Sequence, residues 1–146
     1  MSSATAVAIF NTQHELQHAF YTTMRACLES LGLDLTFNEM RVLLHTGDRA
    51  GLTQKELVEY SHTDKAQMAR LLASLQHKGL LHRTASKSDR RIRCLHLSEQ
   101  GEQLFVELKS VQEQVAEKLL QDTPPALQQQ LLTLLQQVHN NLSPGR

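Results

Sequence analysis

The stretch TQKELVEYSHTDKAQMARLLASLQHKG, residues 53–79, restricts the fold more than any other part of the chain. Thr53 followed three residues later by Glu56 is a capping box, which starts a helix by satisfying its free backbone N–H groups. That helix is short. Its core contacts are Leu57 and Val58, and it ends near Tyr60 and Ser61. Only Ser61, His62 and Thr63 intervene before a second helix over 64–78, in which Met68, Leu71, Leu72 and Leu75 recur at helical spacing. Gly79 stops it. A short helix, a tight turn and a longer helix form a helix-turn-helix candidate.

The flanking segments are also helical. From about Ile9 to Leu31, the apolar residues Ile9, Leu16, Phe20, Met24, Cys27, Leu28 and Leu31 mark one long helix, ended by Gly32. TFNE at 36–39 is a second capping box and opens a helix whose buried stripe is Phe37, Met40, Leu43 and Leu44. A short loop through Asp48 and Gly51 follows. After Gly79 the period changes: LLHRT (80–84) and IRCLHL (92–97) suit strands, with polar ASKSDRR (85–91) between them, so a β-hairpin with a long basic tip is expected. Leu104, Leu108, Val111, Val115 and Leu119 then mark a helix from about Glu99 to Gln121. Pro124-Pro125 breaks it and starts a last one through Leu127, Leu131, Leu134, Leu135, Val138 and Leu142. The expected fold is mostly α with a small β-hairpin wing, one domain over all 146 residues.

Composition excludes several classes. Two cysteines are too few for a disulfide framework, and the first ten residues carry no basic n-region of a secretory signal. No stretch is apolar enough to span a membrane, so a reducing cytoplasm is the expected location. Four Phe, two Tyr and no Trp leave little for a sugar- or base-stacking surface. The net charge of zero conceals a segregation: residues 53–98 hold nine bases against four acids, a local +5, and the remainder is −5. The centre of the chain is arranged to meet an anion.

On a helical wheel of 64–78, Ala66, Arg70, Ala73 and His77 oppose the leucine stripe, flanked by Lys65, Gln67 and Ala69. Alanines permit close approach to a major groove, Gln can bond adenine and Arg guanine. An ordinary solvated amphipathic helix would present a similar face. The tip SKSDRRIR adds Lys87, Arg90, Arg91 and Arg93 around the lone acid Asp89. Arginines suit a narrow minor groove, and Asp89 makes sense as a clamp that orients one of them. A helix-turn-helix running directly into a basic hairpin is a winged helix-turn-helix.

Residues 35–101 resemble the MarR family of bacterial transcription regulators. The matching landmarks are Leu35-Thr36, GLTQKEL at 51–57, Asp64, Arg70-Leu71, Lys78-Gly79-Leu80, Asp89-Arg90-Arg91 and Leu97-Ser98 with Gly101. The resemblance implies a DNA-binding repressor acting as a homodimer on a pseudo-palindromic operator. Residues 36–98 would bind double-stranded DNA, and the helices over 8–32 and 99–142 would interleave with those of a twin. It places Lys65, Ala66, Gln67, Ala69 and Arg70 in the major groove. Arg91 becomes the wing-tip probe, Asp89 and Arg90 position it, and Lys87 and Arg93 meet phosphates. Ala66 and Ala69 stand where the family often has hydroxyl residues, which leaves fewer bonds to bases.

The resemblance also implies a small aromatic or phenolic effector, bound between the first two helices, the fifth and the winged part, with His18, Tyr21, Met24 and Arg25 as pocket candidates. Cys27 falls on the apolar stripe and reads as inert, while Cys94 lies among arginines, nearer the setting a reactive thiol needs. An enzyme reading starts from HELQH, 14–18, the H-E-x-x-H pattern in which two histidines hold Zn²⁺ and the glutamate acts as general base. No third ligand or other catalytic motif accompanies it. On the first helix His14 and His18 point about 130° from the apolar stripe, on a polar flank. No cofactor and no metal site are assigned. If an ion bound there, His14 and His18 would hold it.

Overall fold

The computed structural model describes residues 2–61 and 63–142. The elements in chain order are α1 (Ser3–Ser30), α2 (Phe37–Asp48), β1 (Leu52–Thr53), α3 (Gln54–Ser61), α4 (Lys65–His77), β2 (Leu81–Ala85), β3 (Arg93–Leu97), α5 (Glu99–Leu119) and α6 (Pro125–Asn140). The winged helix-turn-helix expected from the sequence is present.

Two boundaries differ from expectation. α1 starts at Ser3, not at Ile9, because the Ser2 hydroxyl caps it by accepting from the Ala4 backbone N–H at 3.2 Å. No apolar periodicity marks that extra turn, since α1 is exposed along its N-terminal half. The wing is a three-stranded antiparallel sheet, order β1-β3-β2, and not a hairpin alone. Leu52 pairs with Leu95 and Thr53 with Cys94. A two-residue strand is too short to show alternation, so its strand character comes from pairing.

Both capping boxes form. Thr36 Oγ1 accepts from Glu39 N–H at 3.1 Å, and Glu39 Oε1 accepts from Thr36 N–H at 3.0 Å. Thr53 and Glu56 repeat the exchange at 3.1 and 3.3 Å. α4 opens on Asp64, whose Oδ1 accepts from Gln67 N–H at 2.7 Å. The core gathers Leu43, Leu57, Met68, Leu72, Leu75, Leu95 and Leu108 from α2 to α5. α1 contributes Met24 and Leu28 from its C-terminal half. α6 buries none of its residues.

Glu39 is the one buried carboxylate among the described residues, 3% exposed. Besides its cap it accepts from Ser74 Oγ at 2.8 Å and from Lys78 Nζ at 3.1 Å. Lys78 also reaches the Asp34 carbonyl at 2.7 Å. One side chain thus starts α2 and ties it to the end of α4. The exit of α4 is fastened to α5 by Ser98, whose hydroxyl donates to the Gly79 carbonyl at 2.6 Å and accepts from Gly101 N–H at 3.0 Å.

That fastening explains Gly101. A Cβ there would run into the Leu80 carbonyl oxygen, which is backbone and already accepts from Ser98 N–H. Gly101→Ala should destabilise the fold by about 3 kcal/mol, the upper end for forced overpacking. Thermal unfolding should read this as a loss of roughly 10 °C for a chain of this size. An unchanged midpoint would mean that α5 can move away from Leu80.

Candidate nucleic-acid interface

α4 buries Met68, Leu72 and Leu75 and leaves Lys65, Ala66, Ala69, Arg70, Ala73 and His77 exposed. Gln67 is half-buried. The outward face is therefore one of small side chains carrying two cations at its N-terminal half. Its width comes from the alanines, which let the backbone approach a surface closely.

The wing tip is organised by one acid. Asp89 accepts from Arg91 Nε at 3.2 Å, from a second guanidinium nitrogen at 3.2 Å and from the Arg91 backbone N–H at 3.0 Å. The fork geometry fixes the guanidinium plane. The Arg91 side chain is 91% exposed while that of Asp89 is 33% exposed, so the clamp holds the arginine from below and leaves its outer edge free. Hydrogen bonds from the Arg91 side chain and backbone hold the Asp89 carboxyl below its usual range. Ser86 and Ser88 bond each other at 3.0 Å, and Ser86 N–H donates to the Ile92 carbonyl at 2.8 Å, which closes the tip. Lys87, Arg90 and Arg93 are exposed. Arg90 joins no ion pair among the described residues, and the hydrogen bonds that hold Arg91 there come from Asp89.

A cavity of about 230 Å³ lies between α1, α2 and α5. Phe20, Tyr21, Met24, Phe37, Met40 and Leu44 form its apolar wall, and Arg41 and His45 its cationic side. The Arg41 guanidinium lies 5.2 Å from the Tyr21 ring centroid. Asp48 at the rim is held by Lys109 at 3.0 Å. Burial pushes the His45 imidazole below its ordinary value, and Arg41 and Arg49 add to this against the opposing pull of Asp48. The far side of His45 faces Tyr60 of α3, ring centroids 5.4 Å apart, and Arg49 lies 4.4 Å from the centroid of that ring.

Of the four pocket residues expected from the sequence, Tyr21 and Met24 line this cavity. His18 is exposed on α1, and Arg25 lies over the Phe37 ring, 4.6 Å from its centroid, without lining it. Arg41, His45 and Asp48 also line the cavity and are not among those candidates. Their spacing along α2 puts them on one face and could have pointed to them. His14, Glu15 and His18 are all exposed, and among the described residues no three His, Cys, Asp or Glu side chains come together as a metal site. Cys27 and Cys94 are free thiols, each half-buried. Among the described residues, no helix is long and apolar enough to cross a membrane.

A tri-helical core, a recognition-type helix with an exposed basic face and a three-stranded sheet with an arginine-bearing tip define a winged helix-turn-helix protein. Residues 33–92 match the MarR family. The chain is 26% identical over 133 residues to the HTH-type transcriptional regulator BilQ of Clostridium symbiosum, covering 85% of this chain and 91% of that one. It is 27% identical over 107 residues to transcriptional regulator HosA of Escherichia coli O127:H6, covering 73% and 79%. Its fold superposes with a TM-score of 0.80 on a MarR family transcriptional regulator from Listeria monocytogenes complexed with 26mer DNA, at 20% identity, covering 91% of this chain and 87% of that one. Over residues 33–92 the chain is similar to the MarR family, and the relatives it resembles over most of its length are transcriptional regulators.

Proposed function

We propose that this chain is a transcription repressor that binds a pseudo-palindromic operator as a homodimer and leaves it when a small aromatic anion occupies the α1–α2–α5 cavity. The observation that carries the DNA reading is the Asp89–Arg91 clamp, which spends an acid in the most basic part of the chain to aim one exposed guanidinium. A loop that only collected phosphates would gain nothing from it. In this reading Lys65, Ala66, Gln67, Ala69 and Arg70 face the major groove, Arg91 enters the minor groove, and Lys87, Arg90 and Arg93 meet the backbone. A binding titration with double-stranded DNA at two salt concentrations tests it. Counterion release makes affinity fall steeply with salt, and no binding at low salt would refute the reading.

Support for the dimer comes from apolar surface that one chain leaves uncovered. Val7, Ile9, Phe10 and Leu16 on α1 and Leu127, Leu131, Leu132, Leu134, Leu135 and Val138 on α6 are all exposed. Ile9, Leu16, Leu131 and Leu135 line one groove between the two helices. This much contiguous apolar area marks an interface, and a second copy presenting the same two helices matches it.

The cavity chemistry favours an aryl carboxylate or phenolate. The apolar wall takes a ring, and Arg41 with His45 takes a negative charge. An anion beside His45 favours its protonated form, so binding should draw a proton onto His45. Affinity for benzoate-type probes should therefore rise as pH falls through the lowered His45 value, while the ligand itself stays ionised. Calorimetry in buffers of different ionisation enthalpy reads the proton uptake, and His45→Gln should abolish it. No proton uptake in the unaltered chain would remove His45 from the site. The His45–Tyr60 contact gives the bound state a route to α3 and the DNA-facing helix.

A further inference from the structure

We infer that the outer face of the wing sheet binds one borderline divalent transition-metal ion between His82 and His96. The two residues are direct register partners on β2 and β3. Their rings stack at 5.6 Å between centroids with 26° between planes. The neighbouring core face of the same strands carries Leu81, Leu95 and Leu97, all buried, so the strand period turns His82 and His96 outward together. Directly opposed side chains of an antiparallel pair have Cβ atoms roughly 5 Å apart. That spacing lets two imidazoles converge on one ion at the usual Zn–N distance of about 2 Å.

A second feature prepares the pair. His96 Nε2 lies 3.0 Å from Thr84 Oγ1, two residues along β2 from His82 on the same face. If Nε2–H donates to that hydroxyl, Nδ1 is left with its lone pair free, the arrangement in which an outer hydrogen bond fixes tautomer and ring orientation for a metal ligand. Imidazole nitrogen selects Zn²⁺, Ni²⁺ or Cu²⁺ over hard cations. Cys94 stands on this face too, across from Thr84 and Thr53. It is not assembled with the histidines into a group of three, so the ion has two protein ligands, and water completes its coordination. Neither histidine belongs to the DNA-facing set, and neither takes part in the hydrogen bonds that close the wing tip or cap α4.

The test follows histidine ring signals by NMR during titration of the full-length chain with Zn²⁺, in the unaltered protein and in His82→Ala, Thr84→Val and a double His14→Ala/His18→Ala variant. The helix pair His14 and His18 is the competing two-imidazole site. Signals of His82 and His96 should shift together and saturate at one ion per chain. His82→Ala should abolish the His96 shift, Thr84→Val should weaken binding roughly tenfold, and the double variant should leave the wing response unchanged. A response confined to His14 and His18, or none at His82 and His96, would overturn the inference. Metal-free DNA binding should be the same in His82→Ala as in the unaltered chain, which separates this site from the DNA reading.

Discussion

Replacing Arg91 by alanine is expected to weaken operator binding roughly a hundredfold or more while leaving the fold intact. A groove-reading arginine is worth about 1–3 kcal/mol, and a dimer would place two of them on one operator. The side chain is almost wholly exposed and, among the described residues, its one ion pair is with Asp89, so removing it costs little stability. Arg91→Lys keeps the charge but loses the fork that Asp89 grips, and should fall between alanine and the unaltered chain. Asp89→Asn should lose less affinity than Arg91→Ala, since it frees the guanidinium without deleting it. Fluorescence anisotropy with labelled operator at one fixed salt concentration measures all three. Equal affinity for Arg91→Ala and the unaltered chain would exclude the wing tip from the interface.

The second large effect concerns Glu39. Alanine there should destabilise the chain by about 3 kcal/mol, the lower end for breaking a buried ion pair, because the Lys78 side chain left behind is 24% exposed and can be hydrated. Part of the loss is the cap of α2. Burial alone would raise the Glu39 carboxyl, but hydrogen bonds from the Thr36 backbone, Ser74, Lys78 and the Thr36 hydroxyl together leave it below its ordinary value of 4.5. The folded state therefore prefers the ionised form. Its contribution is complete above the unfolded value and is lost as pH falls through the lower folded value. Denaturant midpoints from neutral pH to about pH 3 should show Glu39→Gln less stable at neutral pH, with the gap to the unaltered chain narrowing in acid. A gap independent of pH would mean that Glu39 acts through shape alone.

Much of this was legible in the chain because local rules and the tertiary fold agree. Thr36 with Glu39 and Thr53 with Glu56 announce helix starts, and both form as read. The leucine stripe of α4 separates its buried face from its exposed one, and the lone acid among wing arginines pointed to a clamp. What was not legible depends on partners distant in sequence. β1 is a strand only because Leu95 and Cys94 lie beside it. Glu39 looked like a local cap, and its bonds to Ser74 and Lys78 appear only when α2 and α4 meet. Arg41 and His45 drew no attention because a polar helix face reads as solvated until α1 and α5 close over it. Ser2 extends α1 by a cap where no apolar period exists to reveal it.

The most direct measurement is a hydroxyl-radical footprint on a sequence selected from random double-stranded DNA by the full-length chain. Two symmetric half-sites centred about one helical turn apart, with minor-groove protection beside each that disappears in Arg91→Ala, is the result expected of a dimer reading with α4 and the wing. An asymmetric single footprint, or protection that Arg91→Ala leaves unchanged, would contradict it.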